Sequence, residues 1–138
     1  MSTKTTKTPR TFELRLSSAP LQMSVSVLPY GELLGLSESV APSGFGDNPP
    51  AALVTLTGEL DVTTAPLVGR FFVATLRQHS AIACDLADVN FMDVTGLRPF
   101  LVGRQLARGI GARFWIMRTS PQVGLVLDTT ESNYLREP

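Results

Sequence analysis

The chain has 138 residues, of which 43% are hydrophobic and 17% charged. That balance fits one domain with its own core and argues against both wholesale disorder and a second domain. Twelve basic side chains meet twelve acidic ones, so the chain lacks the basic excess of a nucleic-acid binder. Arg98, Arg104, Arg108, Arg113 and Arg118 read instead as a solvated face that balances Asp85, Asp88 and Asp93.

Residues 1–11 lack apolar periodicity and read as a flexible tail ahead of a single domain over 12–138. The first ten are polar and threonine-rich, unlike a secretory signal. Phe12 to Leu16 alternates and fits an edge strand. Leu21 to Leu28 alternates more cleanly, with Leu21, Met23, Val25 and Val27 on one face of a half-buried strand. Pro29 to Pro50 is rich in glycine, proline and serine and reads as a long loop, mobile or binding.

Ala51 to Leu56 is a short apolar strand closed by Thr57-Gly58-Glu59-Leu60-Asp61. A helix follows, capped by Thr63 or Thr64 with Pro66 in its first turn. Ala65, Val68, Phe72 and Leu76 form its apolar stripe, and His79 lies near its end, where the helix dipole favours a cation. Residues 81–87 predict a central strand that is apolar on both faces at its start, as a buried parallel strand requires. A short loop ends in Asp93, and the next helix runs from Thr95 to Arg108. Pro99 is expected in its first turn, because deeper in it would remove an internal hydrogen bond. Ala112 to Met117 predicts another strand, Ser120-Pro121 opens a helix through Leu127, and Asn133 to Arg136 fits a last short strand. This order predicts an α/β domain with a small mixed β-sheet of about four to five strands and its helices mainly on one face. Phe71, Phe72, Phe100, Phe114 and Trp115 fall at periodic positions and belong to the core.

The chemistry of catalysis is poorly represented. One His and one Cys show no spacing for a nucleophile–base pair or a metal site. Gly109-Ile110-Gly111 ends a helix instead of opening one, so it is no dinucleotide loop. Asp85, Asp88 and Asp93 are scattered by alternation and loop placement. The expectation is a protein that is not an enzyme and uses no metal or cofactor. The lone Cys84 forms no internal disulfide, and no run approaches the roughly 18 apolar residues that span a bilayer, so the expected compartment is the cytoplasm.

Three segments carry a resemblance. Leu56-Thr57-Gly58-Glu59-Leu60-Asp61, then Asp85 through Asp93, then Thr95-Gly96-Leu97 resemble, in order and spacing, the strand end, central strand and switch-helix opening of the STAS domain family. The similarity spans about residues 21–136. The family includes bacterial anti-sigma factor antagonists and the cytoplasmic tails of sulfate transporters. No transporter domain precedes the motifs in this sequence, so the resemblance implies an antagonist that stands alone. It implies binding to an anti-sigma factor, often a serine kinase with a histidine-kinase-like ATP site, and release of a sigma factor; a homodimer is a further possibility, and nucleic acid and membrane are not expected partners. In the family, phosphorylation of a serine just after the motif's aspartate breaks the complex.

That position is Val94 here, which has no hydroxyl, and Thr95 is the remaining acceptor. Arg98 and Pro99 stand where small and aliphatic residues are usual, and the family's common final helix is not evident. The implied partner surface comprises Asp61, Thr63, Asp93, Val94, Thr95, Gly96, Leu97 and Arg98. Three of these residues have a plainer reading. Thr95 is either a helix cap or a phosphorylation site. Asp93 is either an acid favoured by the helix dipole or a partner contact. Asp61 is either a turn residue bonding its own backbone or part of the surface.

Overall fold

The computed structural model describes residues 10–15, 21–29 and 50–138. The tail through residue 9 and the Gly/Pro-rich segment between Pro29 and Pro50 lie outside the described residues. Five strands form one sheet in chain order: β1 Arg10–Arg15, β2 Leu21–Pro29, β3 Pro50–Leu60, β4 Ala81–Met92 and β5 Arg113–Thr119. The first two pairings, β1 with β2 and β2 with β3, are antiparallel; β3–β4 and β4–β5 are parallel. The sheet is therefore mixed, and helices α1 Ala65–Leu76 and α2 Val94–Gly109 make the two parallel crossovers. Strands added in one direction by crossovers of one hand place both helices on the same face. A third helix, α3 Pro121–Thr129, follows β5.

The core sits under the helices. Met23, Val54, Ile82, Leu86, Phe114 and Ile116 from the sheet pack with Val68 and Phe72 of α1, Leu97 and Phe100 of α2, and Val123 and Leu127 of α3. Phe72 anchors it, edge-on to Phe114 at 4.9 Å and to Phe100 at 5.2 Å between ring centroids, the geometry aromatic rings prefer. Across the sheet lies a smaller cluster of Ala51, Ala81, Ala83 and Trp115 with Leu53 and Met117. The other aromatic residues assigned to the core lie as expected, with Phe71 half-buried against it.

Four elements differ from the sequence reading. The strands β3 and β4 run on to Leu60 and Met92, through what was expected to be turn and loop. Register shifts between Thr55 and Thr57 and between Gly58 and Glu59 let the ladder continue, and Gly58 takes φ 118° there. Glycine tolerates that conformation without strain. Pro99 is the sixth residue of α2, not a first-turn residue. The Thr95 carbonyl therefore has no amide four residues ahead to accept from. Residues Asn133–Arg136 form a 3-10 helix, not a strand. The Arg104 guanidinium donates to the carbonyls of Phe114 of β5, Tyr134 and Glu137. One side chain thus joins this segment to β5, where a strand would have needed ladder amides.

Candidate functional site: the corner between two helix starts

The end of β3 and the start of α1 form a tight turn built on Asp61. Its Oδ1 accepts from the Thr63 amide at 2.9 Å, the Thr63 hydroxyl at 2.7 Å and the Thr64 amide at 3.3 Å. The Thr63 hydroxyl holds the Asp61 carboxyl below the usual carboxylate range; desolvation opposes it, and the Thr63 and Thr64 amides add to the lowering. Neither threonine caps α1 as expected. Thr64 occupies the N-cap position, but its buried hydroxyl accepts from the Asp61 amide at 3.0 Å and donates to the Glu59 carbonyl at 3.0 Å. Its oxygen binds the turn back to β3, and Thr63 gives its proton to Asp61.

The start of α2 is tied to the same turn. Asp93, not Thr95, is the N-cap: its backbone is extended and its side chain accepts from the Gly96 amide at 2.9 Å. Its own amide donates to the Leu60 carbonyl at 3.3 Å, and its carbonyl accepts from Leu97 at 3.1 Å. Gly96 presses directly on β3, where a Cβ would lie 2.1 Å from the Leu60 carbonyl oxygen. Leu97 is 1% exposed and belongs to the core. Gly96 and Leu97 therefore drop out of the expected partner surface, because they hold the helix against the sheet.

What remains outside is Val94, Thr95 and Arg98, with Thr63 and the half-buried Asp61 and Asp93 alongside. Val94 is 67% exposed. Among the described residues neither the Thr95 hydroxyl nor the Arg98 guanidinium has a hydrogen-bond or ion-pair partner. The sequence reading missed the apolar half of the corner. Val62, Pro66, Thr95, Arg98, Pro99 and Val102 line a cleft of ≈ 320 Å³ between α1 and α2, together with Ala65 and Gly69. Val62 is 68% and Val102 50% exposed. The four-residue spacing of Val94, Arg98, Val102 and Leu106 was the available signal, obscured by the core residues Leu97 and Phe100 on the same helix.

The other charged residues are elsewhere. Asp85 pairs with Arg118 on the face of the sheet away from the helices, and Asp88 is exposed. Arg113 donates to the Pro138 carbonyl at 3.2 Å. His79 Nδ1 lies 3.0 Å from the Thr75 carbonyl in the last turn of α1, near the helix end as expected. Cys84 is fully buried, and desolvation, with Asp85 beside it, pushes its thiol far up. Among the described residues no group of His, Cys, Asp or Glu side chains is placed to hold a metal, and no helix is long and apolar enough to cross a membrane.

No curated protein sequence matches the chain. Among solved structures, the fold is similar to an anti-sigma factor antagonist from Mycobacterium paratuberculosis (22% identity, TM-score 0.56, covering 63% of this chain and 74% of that one). It is also similar to the anti-sigma factor antagonist SpoIIAA in its unphosphorylated form (19%, 0.55, 62% and 76%). The third is SpoIIAA in the phosphorylated form, described as a Bacillus cell fate determinant (17%, 0.52, 62% and 79%). At these identities the likeness concerns the fold. The STAS domain model matches residues 47–133, which take in all three motif segments and the whole corner. This chain belongs to the STAS domain family.

Proposed function

We propose that this STAS domain is a cytoplasmic regulatory binding module of the anti-sigma factor antagonist kind. It docks an anti-sigma factor or a histidine-kinase-like serine kinase at the α1/α2 corner and so frees a sigma factor. The reading assigns it no catalysis of its own. The observation that carries it is the outward-facing start of α2, where apolar Val94 and the unpartnered Thr95 and Arg98 side chains are presented on a backbone locked by Asp93 and Gly96. Preorganised, exposed apolar surface is what a docking site needs. Calorimetry of the purified protein against candidate anti-sigma factor kinases, with and without nucleotide, tests it. A complex supports the reading, and no complex with any of them removes it.

Thr95 is the proposed phosphoryl acceptor. Its oxygen would attack the γ-phosphorus of ATP held by the kinase, the β–γ bridge would break, ADP would leave, and the hydroxyl proton would pass to a kinase base. About 1.5–2 negative charges would then stand on the docking face. A desolvation penalty of ~3–4 kcal/mol there weakens a partner several hundredfold. A second reading, favoured by Val94 in place of a hydroxyl residue, is a constitutive scaffold that self-associates or docks into a larger signalling complex. Thr95→Asp separates the two. Thr95 is the second residue of α2, where an acid suits the helix dipole, so stability should change by no more than about 0.5 kcal/mol. A switch loses its partner; a scaffold keeps it.

A further inference from the structure

The exposed face of α2 continues well past its first turn. Val94, Arg98, Val102 and Leu106 recur every four residues, and twelve residues of helix span about 18 Å. Val94, Val102 and Leu106 are 67%, 50% and 43% exposed. Beside this ridge the cleft against α1 stays open because its floor is small: Gly69 has no side chain, and a Cβ there would only reach Pro99 at 3.9 Å.

Charge selects the occupant. The corner's two carboxylates, Asp61 and Asp93, are taken up by amides and a hydroxyl of their own turns. Arg98 is the one charged side chain lining the cleft, and it has no ion-pair partner among the described residues. A purely apolar occupant would bury that guanidinium unpaired, which is unfavourable. A second copy of this face, related by a two-fold axis, would bring like surfaces together and set Arg98 near Arg98. Three turns of aliphatic ridge against a groove match the side-chain spacing of a helix. We infer that the α1/α2 cleft receives an amphipathic helix of a partner protein, with aliphatic residues on Val62, Val94 and Val102 and a carboxylate on Arg98. The inference rests on the docking reading above and names the chemistry of that partner.

The test uses the full chain, labelled for amide NMR, and two synthetic helical peptides. Both carry leucines two turns apart on one face; one has Glu and the other Gln at the position between them, one turn from each. The expected result is amide shifts centred on Val62, Val94 and Val102, with the Glu peptide binding about tenfold more tightly, as a partly desolvated charge pair allows. Arg98→Glu should transfer the preference to a Lys peptide, and Val102→Asp should abolish binding with the thermal midpoint unchanged. Equal binding of the Glu and Gln peptides, shifts elsewhere, or no binding of either at millimolar concentration would overturn the inference. So would a dimer in sedimentation that Val102→Asp dissolves, since the occupant is then a second copy. Peptide preference without any anti-sigma factor complex would remove only the antagonist reading. A kinase complex indifferent to Arg98→Glu would leave that reading standing and remove this one.

Discussion

Three donors converge on one oxygen of Asp61, and the Thr63 hydroxyl contributes most to holding its carboxyl low. A carboxylate whose folded pKa is depressed stabilises the fold above its unfolded value, and that contribution disappears as the pH falls through the folded value. The turn should therefore loosen only in acid, below the ordinary carboxylate range. Thr63→Val removes the largest cause, so the Asp61 side-chain midpoint, followed by carbon NMR, should rise; an unchanged midpoint would show that the two amides suffice. Gly96 gives a sharper test of the second helix start. Gly96→Ala drives a methyl into the Leu60 carbonyl, and because the obstacle is backbone it should cost about 3 kcal/mol in urea unfolding. Gly109→Ala meets nothing within 4 Å and should instead gain about 0.5 kcal/mol from helix propensity.

The second helix, α2, does two jobs, one at each end. Its start presents the corner proposed for docking, and Arg104 further along gathers the carbonyls of Phe114, Tyr134 and Glu137 at 3.2, 3.1 and 2.6 Å, with the guanidinium 5.8 Å over the Tyr134 ring. Arg104→Ala should free the 3-10 helix and cost about 1–2 kcal/mol through carbonyls left to water. Hydrogen exchange should speed at Leu135, whose side chain is buried, and stay slow in β3. Arg104→Lys should restore little, because a point charge cannot reproduce the fork. Elements governed by local chemistry were legible in the sequence. The stripe Ala65, Val68, Phe72 and Leu76 is buried, and Ser120 accepts from the Val123 amide at 3.2 Å ahead of Pro121. Elements governed by distant contacts were not. In β4 the buried residues Leu86, Val89 and Met92 come three apart because the ladder shifts register against β3, so period-two alternation misses them. The cap of α2 was expected at Thr95, but Asp93 takes the role, and the close approach of Gly96 to Leu60 that fixes this start is a tertiary contact. The residues of the corner that the proposed function uses were thus named from the motif, while its apolar half needed the α1–α2 packing to become visible.

The two faces of the sheet are stabilised differently. Under the helices, rings and branched aliphatics fill the core; on the other face, alanines surround Trp115, and one charged pair joins β4 to β5. That pair depends on a register shift after Cys84 that sets Asp85 opposite Arg118. The guanidinium bonds a single carboxylate oxygen through two nitrogens, and the other oxygen accepts from the Ala87 amide at 3.1 Å. The partners are unequal in burial, since the Asp85 side chain is 9% exposed and that of Arg118 68%. Removing the arginine strands a nearly buried carboxylate, which in a sealed site would cost several kcal/mol. Water that already reaches Arg118 can replace part of the interaction, so Arg118→Ala should lower the urea midpoint by less than loss of a sealed pair would. Asp85→Asn keeps an acceptor for Ala87 and removes the charge. The double variant Asp85→Asn/Arg118→Ala should therefore be more stable than Arg118→Ala alone. If it is less stable, the carboxylate is tolerated without its partner, and the helix-free face is held by the packing around Trp115 alone.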